Sequence, residues 1–506
     1  MKSLTIAALL SAASIAYPAG ASAPLNYDDA RHLLNRTGFG ATDAEIRRMV
    51  GITREEAART LLAATRTSAV TAPPAWTNDA GPLRYPRGET ASDVEKKQFQ
   101  QEQIRDGLEL RGWWLDEMLA TPSPLTERMT LFWHNHFVSS QQKVKLARLM
   151  YGQNVTLRAH ALGHFGELLH AVARDPAMVI YLDSAQNRKG TPNENFSREL
   201  MELFTLGEGN YGEQDIQEAA RAFTGWSLDR DSGRFVFRRL IHDYDNKTVL
   251  GRSGNFNGDD VLDILLAKTE TAEFITRKLW REFVSPDPDE AEVKKIASRF
   301  RDSRYDIKLA LYDLLTSEAF YAKENRGVLV KSPVDLVVGT LKQFDLKPGE
   351  PVPFAVAAAA MGQNLFSPPN VKGWPGGQAW INTSTLLARK AFLNRLFRAD
   401  DAGVSMADAS ARAMTPAPKQ AIAAGDVQES EIARRIRFLR AMERGLKSVQ
   451  FDSDAWLAQL DTTEHARADA ATRLLLAHTP QAAADPASAP LAMVRRIVLD
   501  AAYQLK

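Results

Sequence analysis

Apolar residues recur at helical spacing along most of this chain, and that pattern predicts a protein built mainly from α-helices. The pattern changes between residues 226 and 251, where Phe235-Val236-Phe237 and Thr248-Val249-Leu250 lie among polar turns and favour short strands. We therefore predict a mainly α fold, a multi-helix bundle-like array with a small β-hairpin insertion at about residues 226–251. The predicted helices include residues 26–36, 142–173, 259–283, 290–320 and 382–397.

Several predicted helices carry a start signal in their first turn. Thr42 and Glu45 have the spacing of a capping box, in which each side chain satisfies the backbone amide of the other. Ser123-Pro124 places proline at the first helical position, where a missing amide proton costs nothing. The run Ser332-Pro333-Val334-Asp335 combines both signals and predicts a helix through residue 344.

The chain has 506 residues, which exceeds the usual size of one compact core and predicts more than one lobe. Residues 1–21 have the order of a signal peptide: Lys2, an apolar stretch, then Ala19-Gly20-Ala21 with cleavage before Ser22. We assign residues 22–398 to a main helical domain and residues 399–428 to an Ala-rich linker or insertion. Residues 429–506 are predicted to form C-terminal helices that pack on the main domain.

Charge and composition narrow the class of protein. The 63 Lys and Arg residues nearly balance 62 Asp and Glu residues, so a nucleic acid or an anionic membrane is not indicated as a main partner. The chain has no cysteine, which excludes disulfides, thiolate metal sites and a cysteine nucleophile. With the signal peptide, and with no predicted membrane span after its cleavage, the sequence indicates a periplasmic or secreted protein.

The segment from residue 187 to residue 226 holds the densest group of polar side chains. Thr191 and Glu194 read as a capping box, and at 100° per residue the next helix gathers its apolar side chains on one face. The polar candidates on the opposite face and on the following helix are Asn195, Arg198, Glu199, Glu202, Asp215 and Arg221. Three interpretations stay open: a buried structural network, a ligand or catalytic cleft, and a solvated surface.

A second hypothesis concerns a divalent metal, because imidazole and carboxylate groups are suitable ligands. The candidate ligands are His134, His136, Glu199, Glu202, His242 and Asp243. Two histidines two residues apart lie about 200° apart on a regular helix, so they converge only if the helix ends there. The alternative is one histidine in the core and one bonded to a loop. This set leads to the hypothesis of a metal-dependent hydrolase.

The loop that contains Trp374 and Trp380 is the third candidate, because two indole rings with Pro375 and two glycines between them could stack on a sugar. That arrangement would make the chain a carbohydrate-binding module. The alternative is a loop that folds its own tryptophans inward. The sequence has neither a G-x-S-x-G nucleophile elbow nor the lysine of a phosphate-binding loop after residues 207–212.

Four long motifs resemble a known bacterial family. They are ERMTLFWHNHF, PNENFSRELMELFTLGEGNYGEQDIQEAARAFTGW, HDYDNKTVLG and SPPNVKGWPGGQAWINTSTLLAR, in this order. Together they resemble the family described as "domain of unknown function 1800". The resemblance implies an exported protein, often encoded beside an exported sulfatase- or phosphatase-like protein, and it implies no particular reaction. We therefore expect an accessory or binding role towards an exported partner protein or polymer, with the metal-dependent hydrolase and the carbohydrate-binding module as alternatives.

Overall fold

A computed structural model describes residues 23–78, 91–229, 231–397, 440–442, 444–446, 448–460 and 463–506. The predicted signal peptide at residues 1–21 and the predicted linker at residues 399–428 lie outside these ranges. The mainly helical fold is confirmed.

The helices up to residue 222 are α1 (Tyr27–Thr37), α2 (Asp43–Met49), α3 (Arg54–Ala63), α4 (Asp93–Ala120), α5 (Pro124–His136), α6 (Gln141–Val144), α7 (Ala147–His160), α8 (Phe165–Ala173), α9 (Pro176–Tyr181), α10 (Asn195–Glu199) and α11 (Glu213–Ala222). A π-helical turn, Leu200–Thr205, directly follows α10. The helix predicted over residues 142–173 is therefore interrupted, first at Lys145, whose φ of 64° lies in the left-handed region.

The later helices are α12 (Gly258–Leu266), α13 (Thr269–Phe283), α14 (Glu290–Asp302), α15 (Ile307–Thr316), α16 (Glu318–Tyr321), α17 (Pro333–Gln343), α18 (Val352–Ala360), α19 (Thr383–Leu396), α20 (Ser453–Ala458), α21 (Glu464–Leu475) and α22 (Pro490–Leu499). Arg304 and Tyr305 both have positive φ, at 58° and 64°, so the helix predicted over residues 290–320 divides into α14, α15 and α16.

The predicted β insertion is present and consists of two hairpins. Strand β1 (Trp226–Leu228) pairs antiparallel with β2 (Phe235–Phe237), with Ser227 opposite Val236. Strand β3 (Lys247–Val249) pairs antiparallel with β4 (Arg252–Gly254). The two β-prone runs seen in the sequence therefore belong to different hairpins and do not pair with each other.

Three of the four cap signals place the helix start correctly, and the one at Thr191 does not. Thr42 and Glu45 form the reciprocal capping box before α2. Ser332 and Asp335 do the same before α17, with Pro333 at the first helical position. The side chain of Ser123 makes no capping hydrogen bond, and it pairs instead with the Thr126 hydroxyl at 2.8 Å.

The buried apolar side chains of the described residues form one contiguous cluster. Trp114, Trp133 and Trp280 are among its largest fully buried members. The C-terminal helices contribute to the same cluster: the Trp456 indole donates to the Gln343 carbonyl at 2.9 Å. None of the described helices is long and apolar enough to cross a membrane.

Candidate functional site

A cavity of about 420 Å³ opens beside α5, α13, the start of α17 and the loop that carries the two tryptophans, and we call it the central cavity. The cations that line it are Arg128, Lys278, Arg281, Lys372 and Lys506. The carboxylates that line it are Glu282 and Asp335. The distribution of these charges is the main chemical feature of the cavity.

Four of the charged groups balance one another. Arg128 on α5 and Asp335 in the first turn of α17 form an ion pair, and their side chains are 2% and 5% exposed. Arg128 also lies 3.3 Å from Glu282, and the Lys506 ammonium donates to Asp335 Oδ2 at 2.8 Å. Burial opposes ionisation of Asp335, but the charges on Arg128 and Lys506 outweigh it and hold the pKa of this carboxyl far below its usual value. Two cations thus neutralise two carboxylates in this part of the cavity.

The remaining cations differ in their surroundings. Lys372 lies 3.7 Å from each of two glutamates, Glu202 and Glu208. Both glutamates lie outside the cavity lining. Lys278 and Arg281 lie three residues apart on α13, and no carboxylate of the described residues comes within 4.0 Å of either side-chain cation. The negative end of the α13 dipole offsets part of the charge of Arg281, which lies in the last turn. Two cations that form no close ion pair among the described residues therefore line the cavity.

Lys278 is held by the end of α5. Its ammonium lies 3.0 Å from His136 Nδ1 and 3.2 Å from the Leu203 carbonyl. His136 Nε2 lies 3.1 Å from the Phe204 carbonyl, so Nε2 carries the proton and Nδ1 accepts from Lys278. Burial, with the charge on Lys278, keeps the pKa of His136 well below its usual value. Burial, with the charge on Arg281, lowers the pKa of Lys278 to about 8.

The tryptophan loop is folded inward against α5. Trp374 is 4% exposed and Trp380 is 7% exposed, although both border the cavity. Asn135 fixes the loop, because its Oδ1 accepts from the Trp374 amide at 2.7 Å and its Nδ2 donates to the Trp374 carbonyl at 3.4 Å. The structure therefore does not present the two open ring faces that stacking on a sugar would use.

His134 lies in the core, one turn from the cavity. It is 1% exposed and packs against the rings of Trp114, Phe366 and Trp374. Its Nε2 has no hydrogen-bond partner among the described residues. Burial lowers the pKa of His134 to about 3, so the ring is neutral. His134 is thus a core histidine, whereas His136 is bonded to the π-helical turn and to α13, not to a loop as the alternative expected.

The polar helix face is partly exposed. Arg198 donates to both oxygens of Glu213, at 2.8 and 2.7 Å, and to Glu194 at 3.2 Å. The interpretation of Glu194 as a cap for Thr191 is wrong, because α10 begins at Asn195 and Glu194 makes no capping hydrogen bond. Asn195 is exposed, and its amide lies 3.4 Å from the Asp183 carboxylate.

Glu199 and Glu202 lie on this face, at the junction of α10 with the π-helical turn. Burial, and then the charge on Glu202, raises the pKa of Glu199. Glu202 accepts from the Tyr211 hydroxyl at 3.2 Å and faces Lys372. Because Lys372 also borders the central cavity, this pair connects the polar face to the rim of the cavity.

Asp215 and Arg221 bind the second hairpin to α11. Asp215 accepts from the amides of Gly212 and Leu250, at 2.9 and 2.7 Å. Arg221 donates to Asp243 at 2.8 Å and to Glu218 at 2.9 Å. Burial opposes the ionisation of Asp243, but hydrogen bonds, Arg221 first, lower its pKa to about 2.

The six candidate metal ligands are not gathered at one point. His242 Nδ1 lies 2.7 Å from the Thr224 carbonyl, in the hairpin region, whereas His134 and His136 lie in separate settings on α5. In the part of the chain that the structure describes, no group of three or more His, Asp or Glu side chains has the arrangement of a metal site. The geometry therefore gives no support for choosing these residues as metal ligands.

A larger groove of about 1270 Å³ lies between α9 and the first hairpin, and Arg188, Thr191 and Asn193 of the polar segment border it. Its described charged groups are of both signs, and one of the cations, Arg238, donates to the Leu228 carbonyl. It contains none of the candidate site residues. We therefore regard the smaller cavity, where unpaired cations converge, as the candidate functional site.

The sequence indicated His136, Trp374 and Trp380 as candidates, but not the charged residues around them. Arg128 stands in the apolar run RMTLFWH, and a charge at that position was a signal of a buried ion pair. Asp335 was explained as a cap, which it is, and that role concealed its ion pairs. Lys278 has the spacing of an ordinary helix residue and gave no signal.

Comparison with known proteins gives one result. The sequence model of a family described as "Protein of unknown function (DUF1800)" matches residues 32–504, which is nearly the whole chain. No curated protein and no solved structure matches the chain. The resemblance that rested on the four motifs is thereby confirmed, and the chain belongs to the DUF1800 family.

Proposed function

We propose that this protein is a binding protein whose central cavity takes an anionic group, a carboxylate, sulfate or phosphate, carried by a small molecule or by the end of an exported polymer. The observation that carries the proposal is the pair Lys278 and Arg281, two cations on one helix face that form no ion pair within 4.0 Å among the described residues. An anion between them would supply the missing counter-charge.

The size of the cavity supports a ligand of limited dimensions. A volume of about 420 Å³ is at the lower end of the range for small-molecule sites. Arg128 and Lys506, with Asp335 and Glu282, make the adjoining wall electrically balanced, so it contributes shape and hydrogen bonds more than net charge. Arg281 is exposed at the opening and is suited to attract an anion from solution.

The proposal also includes the cellular location of the protein and the class of its partner protein. Support for an exported protein comes from the order of Lys2, the apolar stretch and Ala19-Gly20-Ala21. A partner that acts on sulfate or phosphate esters, as the resemblance implies, would share this class of ligand. Fractionation of cells that express the full chain, compared with a chain lacking residues 1–21, tests the location: the proposal expects only the full chain outside the cytoplasm.

Isothermal titration calorimetry tests the binding. Sulfate, phosphate and pyruvate are each titrated into the protein at low ionic strength, where charge–charge attraction is least screened. We expect saturable binding of at least one anion. Arg281→Ala should weaken it by about 1 kcal/mol, which is roughly fivefold in the dissociation constant.

Arg252→Ala is the matched control, because Arg252 is exposed on β4 and does not line the cavity. It should bind as the wild-type protein does. Equal weakening in both variants would indicate a general charge effect, and the absence of saturable binding for all three anions would contradict the proposal.

A further inference from the structure

We propose that Lys278 is a nucleophilic amine that forms an imine with the carbonyl group of an oxo-carboxylate bound in the central cavity. The inference rests on the proposed binding of an anion and adds the class of ligand: a carboxylate with an aldehyde or ketone group beside it. Arg281, three residues along α13, would hold the carboxylate while Lys278 meets the carbonyl carbon.

The hydrogen bonds of Lys278 suit an uncharged amine. Its nitrogen has two described acceptors, His136 Nδ1 at 3.0 Å and the Leu203 carbonyl at 3.2 Å. A neutral amine has two protons, so both are used and the lone pair is left for the third position. Among the described residues no carboxylate or further acceptor occupies that position.

The surroundings also disfavour the charged form. Burial opposes the ammonium charge, His136 is neutral and buried, and Arg281 adds a like charge. Glu282, the nearest carboxylate along α13, is paired with Arg128. At pH 7 a lysine with a pKa of about 8 is uncharged in roughly one molecule in ten, against fewer than about one in a thousand for an ordinary lysine. A desolvated lysine beside another cation is a known way to obtain a reactive amine.

The proposed step balances as follows. The lone pair of the neutral Lys278 nitrogen attacks the carbonyl carbon, a C–N bond forms, and the carbonyl π electrons move to oxygen, which takes a proton from solvent. His136 Nδ1 accepts one proton from the nitrogen and returns it to the hydroxyl group. The C–O bond then breaks, water leaves, and the remaining electron pair on nitrogen completes the protonated imine. No oxidant or reductant takes part.

Reductive trapping tests this inference. The full chain is incubated with pyruvate and sodium cyanoborohydride, which fixes an imine as a stable secondary amine, and the modified residue is located by peptide mapping. We expect one adduct per chain, at Lys278. The rate should rise with pH and level off above about pH 8. Acetone, which has the ketone but lacks the carboxylate, should label Lys278 at least about tenfold more slowly.

Two variants complete the test. Lys278→Arg keeps the charge and removes the nucleophile, so labelling should be lost. Lys294→Arg changes an exposed lysine on the neighbouring helix α14 and should leave labelling unchanged. Mapping of the wild-type protein needs neither variant, so the inference stays testable if Lys278→Arg does not fold.

The outcomes separate the two proposals. Labelling mainly at Lys372 or Lys506, or equal labelling by acetone and pyruvate, would overturn the role of Lys278. Calorimetric binding of anions without any adduct would overturn the imine and leave the proposed binding function in place. Neither binding nor adduct would overturn both.

Discussion

Asp335 has two roles at the residue scale, and both require an ionised carboxylate. Its Oδ2 accepts from the Ser332 amide at 3.0 Å at the start of α17, and from the Lys506 ammonium at 2.8 Å. Its other oxygen pairs with Arg128. A buried cation that loses its partner is costly, because the remaining charge has neither water nor a counter-ion.

We therefore expect Asp335→Asn to lower the free energy of unfolding by about 3–5 kcal/mol. Urea denaturation followed by circular dichroism measures the change. Asp345→Asn is the control: among the described residues Asp345 pairs only with Lys347, at 3.6 Å and in solvent, and asparagine tolerates its φ of 49°. A loss below about 1 kcal/mol in Asp335→Asn would show that the ion pairs contribute little.

His134 makes stability depend on pH. The unfolded chain protonates a histidine near pH 6.5, whereas burial holds the pKa of His134 in the fold at about 3. The contribution of the neutral ring is complete above about pH 6.5 and is lost as the pH falls from there towards 3, by up to about 1.4 kcal/mol per pH unit.

His134→Leu removes the titratable imidazole and fills the same apolar site. We expect its free energy of unfolding to fall less steeply than that of the wild-type protein between about pH 6 and pH 4.5. Urea titrations at several pH values give both slopes. Parallel slopes would mean that His134 is protonated in the folded protein.

At the scale of elements, the tryptophan loop depends on one close contact with α5. Gly373 has a φ of 81°, and a Cβ there would collide with the Asn135 side chain and lie 2.7 Å from its carbonyl oxygen. Gly376 also has a positive φ, 70°, but a Cβ there would meet no atom within 4 Å. The two glycines therefore separate backbone strain from the loss of contact.

We expect Gly376→Ala to cost about 1–3 kcal/mol from the backbone alone, because a φ of 70° with a ψ of −176° is essentially restricted to glycine. Gly373→Ala should cost at least about 1 kcal/mol more, because the loop must move away from Asn135, and it should also weaken binding of anions in the cavity. Thermal unfolding and calorimetry measure the two effects. Equal costs in the two variants would contradict the described contact.

In the segment after residue 187, the sequence predicted the buried helix face but not the type of helix. Helical periodicity placed five apolar residues on one face, of which Leu203 is half-buried and four are buried: Phe196, Leu200, Met201 and Phe204. The prediction succeeded because that period depends only on local geometry. It did not predict the π-helical turn, in which the Leu206 amide bonds five residues back to Met201. Such a turn is stabilised by packing, and neither the residue types nor their spacing predict it.

At the scale of the whole molecule, the helical class was predictable and the cavity was not. Arg128 and Asp335 are 207 residues apart in sequence, and Asp335 and Lys506 are 171 apart. Only the packing of α5, α17 and the C-terminal segment brings them to one place, and no spacing rule extends over such distances. The metal hypothesis failed for the opposite reason. It grouped His134, His136 and His242 because they are histidines, whereas the fold places them in separate surroundings.

The account as a whole depends on an anion entering the central cavity between Lys278 and Arg281. A crystal soaked with selenate, a sulfate analogue whose selenium is located by its anomalous scattering, tests this most directly. The account predicts an anomalous peak inside the cavity, placed so that a selenate oxygen accepts a hydrogen bond from the Arg281 guanidinium. A soaked crystal with selenate peaks only elsewhere on the surface, and an empty cavity, would contradict it.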